Sequence, residues 1–93
     1  MSLEQLTEGV RAKVAGGGIE ESVKFDLGET GVIYLQGSEV SNEDAEADCT
    51  IKISAEDLAD LLSGELNPTA AFMGGKMQVE GDMNVAMKLG SIV

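Results

Sequence analysis

The sequence predicts one small domain, residues 1–93, that mixes helices and β-strands. Two patterns carry this prediction: apolar residues recur every three or four positions in some segments, as on a helix, and alternate with polar residues in others, as on a strand. Glycines separate most of these segments. With two Phe, one Tyr and no Trp, the core must consist mainly of Leu, Ile, Val, Met and Ala.

The first predicted element is an amphipathic helix near the N-terminus. Ser2 with Gln5 three residues later forms a capping-box pattern. The apolar face consists of Leu3, Leu6, Val10 and Val14. The glycines at positions 16–18 end the helix, and we interpret them as a flexible joint. A phosphate-binding loop is a poorer interpretation, because no Gly-Lys-Ser/Thr follows them.

A β-hairpin is predicted next, at residues 23–36. Apolar and polar residues alternate over 23–27, residues 28–31 form a turn, and residues 32–36 form the second strand. This second strand is apolar on both faces, so we expect either Val32 and Tyr34, or Ile33 and Leu35, to contact a second apolar layer.

An acidic segment follows a short third strand predicted at residues 39–41. A calcium loop is conceivable over residues 42–48, but the run lacks the ligand spacing of such loops, so a solvated turn is favoured. Cys49, Ile51 and Ile53 then alternate with polar residues and predict a strand with one buried face.

The second half of the chain predicts two helices, a strand and a last helix. Ser54 caps a helix that ends at Gly64, and Asn67 with Pro68 begins a shorter helix that ends at Gly74. Residues 76–80 alternate as a strand, and Asp82 caps the terminal helix.

Four of the five methionines lie in residues 71–89, on three different predicted elements. They are Met73, Met77, Met83 and Met87. Methionine is flexible and polarizable, so such a cluster indicates either core filler or an adaptable apolar pocket. In the terminal helix, Asn84, Lys88 and Ser91 form one narrow polar stripe, and the surplus apolar face is expected to contact another layer, a ligand, a partner or a membrane surface.

Charge and cysteine content exclude several classes of function. Seventeen acidic against six basic residues give a net charge of −11, so we expect no nucleic-acid partner and only transient membrane contact. No apolar run approaches the roughly 20 residues of a membrane span, and no signal peptide is evident, which predicts a cytoplasmic protein. The single Cys49 is expected to be a reduced core thiol, since the chain has no His to activate it.

Four segments resemble the sterol carrier protein type 2 domain family, in a small bacterial-type stand-alone form. They are ADCTIKIS (47–54), LLSGELNP (61–68), AFMGGKMQVEGDM (71–83) and VAMKL (85–89), and the resemblance spans residues 23–89. It implies an α+β fold, with a mostly antiparallel five-stranded sheet covered by helices. It also implies an apolar tunnel between sheet and helices that binds fatty acid, fatty acyl-CoA, phospholipid or sterol-like molecules.

This resemblance implies lipid binding and transfer without catalysis, cofactor or metal. The expected lipid-binding residues are Leu61, Leu62, Leu66, Phe72, Met73, Met77, Val79, Met83, Ala86, Met87 and Leu89. The chain ends in Ser91-Ile92-Val93, so we expect no peroxisomal import through a Ser-Lys-Leu signal. The alternative function is a protein–protein interaction or dimerisation module with a collapsed, vestigial pocket, and either a monomer or a homodimer through the C-terminal helix is compatible with the sequence.

Overall fold

The computed structural model describes residues 2–90 of the chain. Its elements are α1 (Leu3–Val14), β1 (Ile19–Asp26), a 3-10 turn (Gly28–Thr30), β2 (Val32–Gly37), β3 (Glu39–Ser41), β4 (Cys49–Ile53), α2 (Ala55–Ser63), α3 (Pro68–Met73), β5 (Met77–Gly81) and α4 (Met83–Gly90). The predicted order of helices and strands is therefore confirmed, and so is the α+β class.

The five strands form one mixed sheet in the order β3-β2-β1-β4-β5. Three of the four neighbouring pairs are antiparallel, and β1 with β4 is the parallel pair. One row of side chains across the sheet consists of Ile33, Phe25, Ile51 and Val79. The first three of these are buried under the helices, which form a second layer on that face.

The two apolar faces of β2 meet different neighbours. Ile33 and Leu35 are fully buried and belong to the core, whereas Val32 and Tyr34 are half-buried on the opposite face. There the connection from β3 to β4 crosses the sheet: the Tyr34 hydroxyl donates a hydrogen bond to the Glu46 carbonyl oxygen at 3.2 Å. Lys24, on the same face, pairs with Asp44 at 3.0 Å. The acidic segment is solvated, as expected, and it also covers part of this face.

Each of the first three helices is capped at its N-terminus by the predicted residue. In α1, the Gln5 amide donates to Ser2 Oγ at 3.2 Å and the Ser2 amide donates to Gln5 Oε1 at 2.9 Å, which completes the capping box. Ser54 accepts a hydrogen bond from the Asp57 amide, and Asn67 accepts from the Thr69 amide. These side chains satisfy amides that a helix leaves unpaired, so local sequence determines where α1, α2 and α3 begin.

Gly18 is more than part of a flexible joint. A Cβ added at Gly18 would lie 1.7 Å from the Gly37 carbonyl oxygen, whereas a Cβ at Gly16 would meet nothing within 4 Å. The contact lies at the end of the β1–β2 ladder, where Ile19 pairs with Gly37 before an irregularity in register. The absence of a side chain at position 18 therefore lets the entry to β1 approach the end of β2.

Candidate functional site

The predicted lipid-binding residues fall into three groups by exposure. Leu61 and Leu89 are buried in the core. The half-buried group, which packs against the core, is Leu62, Leu66, Met77, Val79 and Ala86. The exposed group is Phe72, Met73, Met83 and Met87. The predicted residues thus lie on α2, α3, β5 and α4, and part of them are in contact with solvent.

The exposed group is unusual for so small a domain. Met73 and Met87 are 81% and 72% exposed, and Phe72 and Met83 are each 44% exposed. These are the large exposed apolar side chains of residues 2–90, and all of them lie on α3 and α4. Both helices contact β5. An apolar surface concentrated in this way is typical of a site that binds an apolar ligand or a partner.

Helix α4 presents two apolar faces, as its composition predicts. Val85 and Leu89 point into the core, where α4 contacts β1, β4 and β5, while Met83 and Met87 lie one turn apart on the exposed side. Of the predicted polar stripe, Asn84 and Lys88 are exposed, and Ser91 lies outside the described residues. Within residues 2–90, the surplus apolar face of α4 is therefore left to solvent.

An ion pair links α4 to the sheet. Lys88 Nζ donates to Glu21 Oε2 at 2.7 Å and so links the last turn of α4 to β1. This hydrogen bond lowers the pKa of Glu21 and raises the pKa of Lys88. The attraction is therefore lost when pH falls through the lowered Glu21 pKa or rises through the raised Lys88 pKa.

Asp48, immediately before β4, makes hydrogen bonds to β1 and to the residue that follows β5, a role that the sequence pattern did not predict. Its Oδ2 accepts hydrogen bonds from the Ser22 amide at 3.0 Å and the Ser22 hydroxyl at 3.4 Å, and its own amide donates to Ser22 Oγ at 2.9 Å. Its carbonyl oxygen accepts from the Asp82 amide, at the junction of β5 and α4, at 3.1 Å. The only sequence signal is an acidic residue placed immediately before a strand, which is too common to be specific.

Two open clefts lie elsewhere on the surface. One, of about 420 Å³, is bordered by Asp26, Lys52, Ser54 and Lys76 at one end of the sheet. The other, of about 490 Å³, is bordered by Arg11, Tyr34 and Glu43 near β3. Neither cleft is lined by any of the predicted lipid-binding residues. The apolar tunnel that the resemblance implies, and the residues assigned to it, therefore stay a prediction.

Cys49 lies in the core, at the start of β4. It pairs across the sheet with Val23 on one side and Gly81 on the other, and it is fully buried. Burial raises the pKa of the thiol, and the charge of Asp82 adds to this effect. Among residues 2–90, no group of His, Cys, Asp and Glu is arranged to hold a metal ion, and no helix is long and apolar enough to cross a membrane.

The burial of Cys49 predicts slow thiol chemistry in the folded protein. Alkylation by iodoacetamide at pH 8 is expected to be about 100-fold slower in buffer than in denaturant, because both access and thiolate formation require opening of the sheet. The pKa of the Cys49 thiol is higher in the folded protein than in the unfolded chain. The free energy of unfolding is therefore expected to fall as the pH rises above the pKa of the unfolded thiol. Mass spectrometry of alkylated protein measures the rates, and equal rates in the two conditions would contradict the buried position.

Comparison with known proteins finds one family. A model of the SCP-2 sterol transfer family matches residues 2–93. Sterol carrier protein 2 of Oryctolagus cuniculus is 48% identical over 54 residues, which make up 58% of this chain and 10% of that protein. The chain thus spans about a tenth of the length of the curated relatives it first matches.

Solved structures agree with this match at the level of the fold. The crystal structure of sterol carrier protein 2 like 2 from Aedes aegypti has a TM-score of 0.78 and 23% identity, and it covers 100% of this chain and 97% of that chain. The solution structure of palmitated SCP2L2 from Aedes aegypti has a TM-score of 0.74 and 22% identity, with 99% and 94% covered. These similarities establish the five-stranded α+β fold.

Proposed function

The chain belongs to the SCP-2 sterol transfer family, and from this premise we propose that it binds and transfers lipids by holding their apolar part against α3, β5 and α4. The ligand class is fatty acid, fatty acyl-CoA, phospholipid or a sterol-like molecule. The palmitated state of the Aedes aegypti neighbour is consistent with an acyl chain as ligand. We place this activity in the cytoplasm.

The observation that carries the proposal is the position of the exposed apolar side chains. Phe72, Met73, Met83 and Met87 lie on the two helices that contact β5, beside the half-buried Met77 and Val79. A lipid chain that covered these side chains would remove apolar surface of both molecules from water, which favours binding by roughly 25 cal/mol per Å² buried. Flexible methionines would let one surface accept chains of different shape.

The same features favour transfer over catalysis. Apolar contacts have no direction and discriminate weakly between chains of similar size, which suits a carrier that must also release its ligand. The chain contains no His, and Cys49 is buried with the pKa of its thiol raised, so neither an imidazole base nor an accessible thiolate is available. The net charge of −11 favours brief contact with a membrane, because anionic headgroups repel the protein.

Titration with a fluorescent fatty acid tests the proposal. The wild-type chain is expected to show saturable uptake, and the M73S/M87S double substitution is expected to weaken it. The bound lipid is expected to cover part of each methionine side chain, so replacing both with serine removes about 1–2 kcal/mol of apolar burial from the complex. This loss corresponds to a roughly five- to thirtyfold higher Kd.

Lys13→Ser provides the matched control, because it shortens an exposed side chain on α1, away from the proposed site. It is expected to leave the Kd unchanged. Uptake that does not saturate, or that the methionine substitutions leave intact, would rule out binding at this surface.

A second candidate function, an interaction module with a collapsed pocket, is favoured by the same exposed methionines, since they also suit a protein partner. Added fatty acid separates the two candidates. A carrier is stabilised by its ligand and its melting temperature rises with ligand concentration, whereas a module with a collapsed pocket melts at the same temperature throughout.

A further inference from the structure

We propose that β5 pairs edge to edge with β5 of a second copy of this chain, so that one continuous sheet crosses both copies. The proposal concerns assembly and does not depend on the lipid-binding function. It follows from the open edge of β5, from the order of charges along that edge and from the apolar side chains beside it.

The outer edge of β5 is open. β5 is the last strand of the sheet and pairs with β4 on one side. Within residues 2–90, the backbone hydrogen bonds of loops and turns use Lys76 and Asp82 at its two ends but none of the residues between them. An unpaired strand edge presents amide and carbonyl groups that another strand can pair with.

The opposite edge of the sheet is less suited to pairing. β3 has only three residues, and the carbonyl oxygen of Val40 already accepts a hydrogen bond from Arg11 Nη2 at 3.1 Å. Short edge strands and covered carbonyls are ways in which proteins prevent edge pairing. This contrast selects β5 as the edge that accepts a partner.

The side chains of β5, together with Lys76 immediately before it, are complementary to those of a second copy. In an antiparallel pair centred on Gln78, Lys76 of one copy lies opposite Glu80 of the other, and two-fold symmetry repeats the pair. Met77 then lies opposite Val79 on the face that carries the helices. Lys76, Gln78 and Glu80 are all exposed. Opposite charges and apolar residues that face each other across strands stabilise a sheet.

Charged residues on an edge strand often serve to prevent pairing, and this alternative predicts a different pattern. Repulsion between two copies requires like charges at positions that become opposite, whereas Lys76 and Glu80 have opposite signs. Glu80 also contacts Lys52 of its own chain at 3.4 Å, but both side chains are about half exposed, so this pair is weak and can be shared.

The surface beside this edge supports association. α3 and α4 both contact β5 and carry the exposed Phe72, Met73, Met83 and Met87. A second copy placed along β5 would bring this apolar surface close to its counterpart. A patch of exposed apolar side chains rimmed by charged residues is characteristic of protein interfaces.

Sedimentation velocity of the full chain over a concentration series tests the proposal. The wild type is expected to form dimers, and K76E and E80K are each expected to raise the dimer Kd by at least about tenfold, because like charges then face each other twice. If net charge alone controlled association, the two substitutions would have opposite effects on the dimer Kd. K76E makes the acidic chain more negative and would weaken association, whereas E80K makes it less negative and would strengthen it.

Mixing the two variants gives the sharper result. In a heterodimer, the two glutamates at positions 76 and 80 of the K76E chain face the two lysines at positions 80 and 76 of the E80K chain. Opposite charges are thereby restored at both contacts, so the mixture is expected to form dimers with a Kd near the wild-type value.

Lys13→Glu is the control for added negative charge. Lys13 is exposed on α1 and has no ion pair within residues 2–90, so this variant is expected to dimerise normally. A monomeric wild type, dimers insensitive to both K76E and E80K, tighter dimers of E80K, or a mixture that stays monomeric would each overturn the proposal.

Discussion

Gly18→Ala is expected to destabilise the fold by about 3 kcal/mol or more, because the new methyl group has no room. Its carbon would lie 1.7 Å from the Gly37 carbonyl oxygen and 2.4 Å from the carbonyl carbon. Both atoms belong to the backbone, so no side-chain rotation relieves the contact. The entry to β1 must move away from β2, and the Ile19 to Gly37 pairing is lost with it.

Gly16→Ala is the matched control for this prediction. Position 16 has no atom within 4 Å of an added Cβ, so the substitution is expected to leave stability unchanged or to raise it by about 0.4–1 kcal/mol through the unfolded state. Urea unfolding followed by circular dichroism measures both variants. Equal stabilities of the two would show that Gly18 is a joint and not a packing contact.

Phe25→Ala is expected to cost about 3–5 kcal/mol, which is a large share of the roughly 5–15 kcal/mol that stabilises a domain. Phe25 is 1% exposed and is the largest fully buried side chain of the described residues. It lies between Ile33 and Ile51 in the middle of the sheet. Its loss leaves a cavity that neighbours on both strands border.

Phe72→Ala is the matched control, because it makes the same substitution at an exposed position. The side chain is 44% exposed at the surface of α3, so the same substitution is expected to cost about 1 kcal/mol or less. Thermal or urea unfolding of the pair checks the difference. A Phe72 variant as unstable as the Phe25 variant would contradict the exposure of α3.

The sequence predicted the helix ends well because they depend on neighbours in the chain. Ser2, Ser54 and Asn67 cap their helices through residues two or three positions away, and Gly64 ends α2 with a φ of +84°. The alternation at residues 49, 51 and 53 likewise determines which face of β4 is buried. These features follow from local geometry, so a single sequence contains them.

Contacts between distant segments could not be predicted in this way. The parallel pairing of β1 with β4 depends on a crossover that the acidic segment makes, and the role of Gly18 depends on the distant Gly37. The hydrogen bonds of Asp48 with Ser22 also join remote residues. For the proposed site, composition identified the methionines, but only the packing of α4 shows that its Val and Leu side chains fill the core and leave its methionines outside.

Native mass spectrometry of the full chain after incubation with phospholipid vesicles, followed by removal of the vesicles, tests lipid carriage most directly. The wild-type protein is expected to carry one lipid molecule per chain, and the M73S/M87S protein is expected to carry less lipid under the same conditions. Wild-type protein that emerges free of lipid, at protein and lipid concentrations where the folded state is intact, would contradict it.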